Sequence, residues 1–141
     1  GINPALVFVK FFPLKTLWQA TGVALDTNHP KAMIIPDTFH MHISEGGFEG
    51  LKFLNGDLIA IFQFADAPAS PATATLGDKH RVYPGDGILP LPEILKTLKT
   101  TGYKGCISLE LYNPEYWKQD LQEVANTGLR KTLEVIQKAG V

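Results

Sequence analysis

An acidic residue and two histidines follow directly after a short apolar run in the first half of the chain. The run occupies residues 32–35, Pro36 ends it, and Asp37, His40 and His42 come next. Asp37 and His40 are three residues apart, so a tight turn can aim both side chains at one point. A carboxylate and an imidazole held together in this way are suited to proton transfer or to binding a metal ion.

Polar residues also close the later apolar runs. Gln63 and Asp66 lie at the end of the run at 58–65, and Glu110 lies near the end of the run at 105–112. If these runs are parallel strands, their carboxyl ends face the crevice in which α/β proteins bind ligands. We therefore expect the polar strand ends to lie close together.

The size and charge of the chain limit its class. With 141 residues it is long enough for a single domain, 1–141, but short of the roughly 250 residues of a complete eight-stranded α/β barrel. The net charge of −1 and the lack of a Lys/Arg cluster argue against nucleic acid as a partner. No apolar run approaches a membrane span and no secretory leader opens the chain, so we expect a cytoplasmic protein without a membrane partner.

Three residues are interpreted as serving packing rather than chemistry. Cys106 is the single cysteine, which excludes an intrachain disulfide. It begins the apolar run at 106–109, where we expect a buried structural thiol rather than a nucleophile. Trp18 and Trp117 are likewise expected to be packing residues.

Apolar runs and amphipathic segments alternate along the chain. The apolar runs predict strands at 5–11, 32–35, 58–65 and 105–112. Helical spacing predicts helices at 14–25, 48–54 and 91–98, and a last helix between Asp120 and Gly140. Four strand–helix units predict an α/β fold with a parallel sheet, which amounts to half of a TIM (β/α)8 barrel.

The long irregular stretch and the last helix each lead to a specific expectation. The irregular stretch at 66–90 is too long for an ordinary connection, so we expect an ordered lid or wall of the site. The last helix has an apolar face, which we expect to be buried. Its members are Leu121, Val124, Ala125, Leu129, Leu133 and Ile136.

Four motifs occur in a consistent order along the chain. They are Asp-Thr-Phe-His-Met at 37–41, Phe-Gln-Phe-Ala-Asp-Ala-Pro at 62–68, Arg81 with Pro-Gly-Asp-Gly at 84–87, and Ser-Leu-Glu-Leu at 108–111. Together they resemble the C-terminal half of the sugar phosphate isomerase/epimerase family, the xylose-isomerase-like TIM barrels. The resemblance spans essentially the whole chain and about half of such a barrel. It implies a divalent metal, most often Mn2+ with Mg2+, Co2+ or Zn2+ as alternatives, and a small sugar or sugar phosphate as substrate.

The resemblance also implies roles for individual residues. In the epimerase branch a glutamate, an aspartate, a histidine and a second glutamate hold the metal. The aspartate corresponds to Asp37, the histidine position to Gln63, and the second glutamate to Glu110, which doubles as the catalytic acid/base. His40 and Arg81 correspond to residues expected to bind substrate.

The first glutamate of that set is missing here. Its position in the first strand is occupied by Val7. In the epimerase mechanism the two glutamates act from opposite faces of the substrate, one removing and one returning a proton beside a metal-polarised carbonyl. Without the first, the resemblance implies a poor or inactive epimerase. The alternative function is therefore a catalytically inactive or truncated half-barrel that serves as a binding or structural module.

The polar strand ends also have plain structural interpretations. Asp37 would cap the turn that follows it, and His40 would be a packed, hydrogen-bonded histidine. Gln63 would hydrogen-bond a neighbouring backbone group, and Glu110 would form a structural ion pair.

The long loop has structural alternatives as well. Asp66 is expected to fix the start of the loop rather than to contact substrate. Arg81 would bind either the substrate or a carboxylate of the loop such as Asp86.

An isolated half-barrel would expose apolar surface and two unpaired strand edges, which favours association. We expect a homodimer, with a complementing N-terminal half-barrel or another covering as alternatives. A nuclease of the endonuclease IV kind is disfavoured, because the chain has only four histidines and a slightly negative charge.

Overall fold

The computed structural model describes residues 2–141 and contains four short parallel strands. These are β1 (Ala5–Val7), β2 (Met33–Ile35), β3 (Phe62–Phe64) and β4 (Ile107–Leu109). β1 pairs with β2, and β3 pairs with β4. Single parallel bridges from Ile34 to Ile59 and from Asp37 to Gln63 join the two pairs, so the strands follow the order β1-β2-β3-β4.

Helices connect and cover these strands. They are α1 (Leu17–Asp26), α2 (Thr38–Ile43), α3 (Leu91–Thr100), α4 (Pro114–Trp117) and α5 (Leu121–Ala139), with short 3-10 turns at Glu49–Phe53, Gly56–Leu58, Thr73–Thr75 and Asp78–His80. Asp120 caps α5 at its start, and Gly140 ends it in the left-handed conformation at φ 70°. No helix in residues 2–141 is long and apolar enough to cross a membrane.

The predicted alternation of strands and helices is confirmed, but several boundaries differ. Each predicted strand is reduced to three paired residues, because apolar composition does not report where the ladder hydrogen bonds end. The helix predicted at 48–54 is a 3-10 turn at Glu49–Phe53. Helix α2 was not predicted, since five of its six residues are buried and it shows no amphipathic period.

Three packing predictions were wrong. Cys106 is exposed, because it directly precedes β4, which has a strand neighbour only on the β3 side among the described residues. Trp18 and Trp117 are also exposed. One face of Trp18 nevertheless contacts Phe53, with ring centroids 6.2 Å apart.

The predicted apolar face of α5 is buried only in part: Ile136 packs against the core, whereas most of the other members are exposed. The helix packs against α3 and β4 through smaller residues, namely Gly128, Thr132, Val135 and Ala139. Gly128 permits this approach, since a Cβ there would collide with Leu109. The larger leucines point elsewhere: Leu121, Leu129 and Leu133 are 78%, 61% and 53% exposed.

The long loop at 66–90 is ordered around the buried carboxylate of Asp66, as expected. Its Oδ1 accepts hydrogen bonds from the N–H groups of Ala67 and Leu89, at 2.8 and 2.9 Å. Its Oδ2 accepts from Gly85 and Gly87, at 3.0 and 3.1 Å. One carboxylate therefore accepts hydrogen bonds from backbone N–H groups at both ends of the loop.

We predict that Asp66→Ala lowers the free energy of unfolding by about 3 kcal/mol, because several buried N–H groups lose their acceptor. Urea denaturation measures this change. Asp26→Ala, at the exposed end of α1, is the control and is expected to shift the free energy by less than about 0.5 kcal/mol. Equal effects of the two substitutions would contradict the role of Asp66.

Candidate functional site

Asp37 is completely buried at the carboxyl end of β2. Its Oδ1 accepts a hydrogen bond from the backbone N–H of His40 at 2.8 Å, so Asp37 caps α2. Its Oδ2 accepts from Nη1 of Arg81 at 2.9 Å. The capping interpretation is therefore correct, and the same carboxylate also forms a buried ion pair.

Arg81 brings the long loop into this site. The guanidinium is completely buried and lies over the ring of Phe39, 4.8 Å from its centroid. Its Nε donates to Oδ1 of Asp78 at 3.0 Å, and its Nη2 lies 3.0 Å from the same oxygen and 3.6 Å from Oε2 of Glu110. Burial alone lowers the pKa of Arg81, but these surrounding carboxylates outweigh burial and raise the pKa above its ordinary value.

The loop carboxylate suggested by the sequence was Asp86, and the structure gives that residue a different partner. Asp86 forms an ion pair with Lys131 of α5. Arg81 is bound instead by Asp37 and Asp78. Asp78 lies three residues before Arg81, and this spacing within a 3-10 turn was the one sequence signal that could have revealed it.

Gln63 and Glu110 meet at the ends of β3 and β4. Nε2 of Gln63 donates to Oε1 of Glu110 at 2.8 Å, so Gln63 contacts a side chain rather than the expected backbone group. Burial is the largest influence on the pKa of Glu110 and raises it. The positive charge of Arg81 lowers the pKa, whereas the charge and hydrogen bonding of Asp37 and the charge of Asp78 raise it further. The net effect is a pKa above the ordinary range of a glutamate.

His40 is buried beside the same carboxylates. Its Nε2 lies 3.5 Å from Oδ1 of Asp78. Burial lowers the pKa of His40 most strongly and the charge of Arg81 contributes, while Asp37 and Asp78 partly oppose them. His40 is therefore a neutral imidazole at neutral pH.

A cavity of about 320 Å³ lies over these side chains. His40, Gln63, Arg81 and Glu110, four of the five predicted site residues, line it together with Asp78. Asp37 lies beneath them, behind the guanidinium. The structure therefore brings all five predicted residues to one place. The rest of the lining is largely apolar and includes Val7, Val9, Phe11, Phe12 and Ile35.

A larger cavity of about 580 Å³ lies elsewhere, beside α1 and the 3-10 turn Gly56–Leu58. It is lined mainly by apolar and neutral residues, and Asp57 and His29 in its wall are exposed. It gathers no buried charges. The smaller cavity at the strand ends is therefore the candidate site.

The donors at the strand ends fit a hard divalent cation. Asp37, Asp78 and Glu110, when ionised, exceed the single positive charge of Arg81 by two. Oε1 of Gln63 is buried and has no hydrogen-bond partner within residues 2–141. No three His, Cys, Asp or Glu side chains of the described chain surround one point, so a metal site here needs this amide oxygen beside two carboxylates.

Comparison with known proteins decides the family. The profile of the xylose isomerase-like TIM barrel matches residues 7–139. The chain belongs to this family. An inosose isomerase from Bacillus licheniformis is 34% identical over 140 residues, which cover 98% of this chain and 50% of that protein. A 3-dehydroshikimate dehydratase from Pseudomonas putida is 30% identical over 121 residues, 85% of this chain and 19% of that protein.

Solved structures of the xylose isomerase-like family agree with the fold. A crystal structure of the IolI protein with a bound zinc atom superposes with a TM-score of 0.90 at 32% identity, covering 99% of this chain and 50% of that one. An L-ribulose 3-epimerase superposes at 0.74 with 20% identity, covering 99% of this chain and 48% of that chain, which supports the fold alone. The chain spans about half the length of the curated isomerases it matches. The predicted family and the fold of half a TIM barrel are thus confirmed.

We predict that Glu110→Gln raises the free energy of unfolding at neutral pH by on the order of 1 kcal/mol. Because the pKa of Glu110 is raised in the folded state, the unfolded chain loses this proton first as pH rises. As the pH rises from the ordinary glutamate pKa to the raised one, the wild type therefore loses stability relative to the variant. Below that range both states are protonated and the difference disappears.

Urea unfolding of the wild type and of Glu110→Gln from pH 4 to pH 8 measures the difference between their free energies of unfolding. The titrations of all other groups are common to the two proteins and cancel in this difference. Glu45→Gln, at an exposed turn, is the matched control and is expected to show no such pH dependence. A loss of stability in Glu110→Gln at every pH would contradict the raised pKa.

Proposed function

We propose that this chain is the catalytic half of a metal-dependent sugar isomerase/epimerase-type protein. It would act by proton transfer next to a metal-polarised carbonyl. The observation that carries the proposal is the carboxyl group of Glu110, with its raised pKa, at a cavity between Gln63 and Arg81. A carboxyl whose pKa is raised by burial and by neighbouring carboxylates is better suited to accept and return a proton than an ordinary surface glutamate.

Buried polar atoms without partners support a polyhydroxylated substrate. Nδ1 of His40 and Nη2 of Arg81 make no hydrogen bond of good geometry to the described residues, and both residues line the cavity. Hydroxyl and carbonyl groups of a sugar would supply the missing partners.

Each residue has a role in this proposal. Glu110 removes the proton from the carbon beside the carbonyl and returns it. Arg81 favours the negative charge that develops on the carbonyl oxygen, and neutral His40 orients a substrate hydroxyl. Asp37 holds both the guanidinium and the start of α2 in place.

The metal would be held by Asp37, Gln63 and Glu110. Because Asp37 is buried and bound to Arg81, it would reach such a metal only if the guanidinium moved away from its Oδ2. Three oxygen donors suit Mn2+ or Mg2+ better than Co2+ or Zn2+, which readily take nitrogen ligands. When bound, such an ion supplies a Lewis acid that polarises the substrate carbonyl. The zinc bound in the IolI structure supports a divalent metal, and we propose Mn2+ because the three donors are oxygens.

The alternative is a catalytically inactive half-barrel that serves as a binding or structural module. Val7 favours it, because this residue brings no carboxylate to the cavity from β1. The metal titration below separates the two functions.

The open edges of the half-barrel favour a partner. Within the described chain, β1 and β4 each have a strand neighbour on one side only. Leu121, Leu129 and Leu133 on α5 expose a row of apolar surface beyond β4. We propose that a second copy of the chain pairs with these edges around a two-fold axis, with a complementing N-terminal half-barrel as the alternative.

We predict that the chain binds Mn2+ with a stoichiometry of about one, and that Glu110→Gln weakens this binding at least about tenfold by removing a charged ligand. Isothermal titration calorimetry measures both. Glu45→Gln is the matched control and should bind as the wild type does. Absence of binding to the wild type would favour the inactive module.

We predict a mass twice the 15.5 kDa of one chain by light scattering at micromolar concentration. Leu129→Glu should shift the chain towards the monomer, because it places a charge on the exposed face of α5. Leu25→Glu, at an exposed leucine of α1, is the matched control and should leave the dimer intact. A stable wild-type monomer would overturn the homodimer and leave the complementing half-barrel as the partner to test.

A further inference from the structure

We propose that the site transfers protons on one face of its substrate only, so that it isomerises a hydroxy ketone without inverting the carbon that loses the proton. This inference rests on the proposed function and narrows it to a reaction class. The observation behind it is the unequal chemistry of the two sides of the cavity. The segments from β2 to β4 supply all the titratable groups that line the cavity, and β1 with the segment after it supplies only apolar ones.

The titratable side is formed by β2 to β4 and the loop they enclose. His40 follows β2, Asp78 and Arg81 come from the loop after β3, and Glu110 and Tyr112 follow β4. The β-bridge between Asp37 and Gln63 and the hydrogen bond from Gln63 to Glu110 link the carboxyl ends of β2, β3 and β4.

The other side belongs to β1 and the segment after it. Val7, Val9, Phe11 and Phe12 line the cavity there, and Val7 is 42% exposed. Lys10 is the one charged residue of this stretch. Its ammonium group donates to the carbonyls of Thr73 and Ala74, at 3.5 and 3.0 Å, and is thereby held away from the lining.

The apolar side is also closed against the loop. The ring of Phe11 lies next to Gly77, where an added Cβ would be 3.6 Å from it. The contacts of Lys10 tie the same segment to the 3-10 turn Thr73–Thr75. An acid or base of the described chain therefore does not reach the substrate from this side.

The chemistry then follows from the position of Glu110. Its carboxylate takes the proton from the carbon beside the carbonyl, and the electron pair of that C–H bond forms a C=C bond while the carbonyl oxygen gains the negative charge. The carboxyl returns the proton to the former carbonyl carbon, and the neighbouring hydroxyl loses its proton to the oxyanion as the new carbonyl forms. Every proton and electron pair is accounted for without an oxidant or reductant.

Epimerisation needs a further group. Inverting a carbon requires that the proton leave from one face and be delivered to the other, and the second face here meets Val7 and the phenylalanines. Return of the proton to its original carbon by Glu110 restores the original configuration. Val7 is thus a specificity-determining residue, because it keeps the second face free of a proton donor.

The test uses an inosose, ribulose and fructose as probes, each incubated with the full chain and Mn2+ in D2O and followed by NMR. We expect deuterium at the carbon beside the carbonyl, in the recovered ketone or its isomer, to appear at least about tenfold faster than any epimer. Epimer formation as fast as exchange would overturn the inference and leave the proposed function standing. Absence of exchange with all three probes would overturn the proposed function and this inference with it.

Val7→Glu tests the role of the β1 side directly. We expect this variant to form the epimer, because a carboxyl group then reaches the second face. Val7→Gln, of equal size but unable to transfer a proton, is the matched control and should behave as the wild type. Equal epimer formation by the two variants would overturn the role of Val7. Circular dichroism verifies folding, and the wild-type stereochemistry remains the deciding measurement if either variant fails to fold.

Discussion

The buried ion pair between Asp37 and Arg81 is the interaction on which the site depends. Both side chains are completely buried, and taking two charges out of water is costly unless they are paired and hydrogen-bonded. Here the pair joins the end of β2 and the start of α2 to a loop more than forty residues away in sequence. Removing Arg81 would leave the buried charge of Asp37 without its ion-pair partner, whereas removing Asp37 would leave Arg81 to Asp78 and Glu110 alone. The pair therefore fixes the loop to the strand end.

The same pair sets the electrostatics of the remaining groups. Asp78 and Glu110 gather around a guanidinium that cannot neutralise all of them, and the pKa of Glu110 is raised as a result of burial and of these neighbouring carboxylates. A carboxyl group in such surroundings is less stable ionised than it would be in water. The fold therefore holds Glu110 with a pKa above its ordinary value.

The half-barrel architecture explains both the exposed surface and the composition of the cavity. In the xylose isomerase-like family the matched relatives are about twice as long, and this chain contributes four βα units with open edges at β1 and β4. Leu121, Leu129 and Leu133 of α5, the helix that follows β4, are exposed. The cavity likewise receives its charged groups from β2 to β4 and only apolar groups from β1. The edge strand thus affects both assembly and chemistry.

The sequence by itself determined the order of strands and helices, the family, and the residues at the strand ends that meet. Apolar runs alternate with amphipathic segments, and parallel strands bring their carboxyl ends to one edge, so Asp37, Gln63 and Glu110 could be placed together without coordinates. The role of Asp66 followed from its position at the start of a long loop. These features depend on local patterns that the chain carries residue by residue.

Only the tertiary structure decided which groups pair. The pairing of Arg81 with Asp37 and Asp78 depends on which surfaces come into contact, and so does the exposure of Cys106 and of the α5 leucines. An apolar stripe predicts that a helix has a face to bury, but the neighbour that covers it is set by packing, and α5 uses Gly128 and other small residues to approach β4 and α3. An ion pair between residues this far apart in the sequence likewise cannot be predicted from the sequence alone, because only the fold determines how close the two side chains lie.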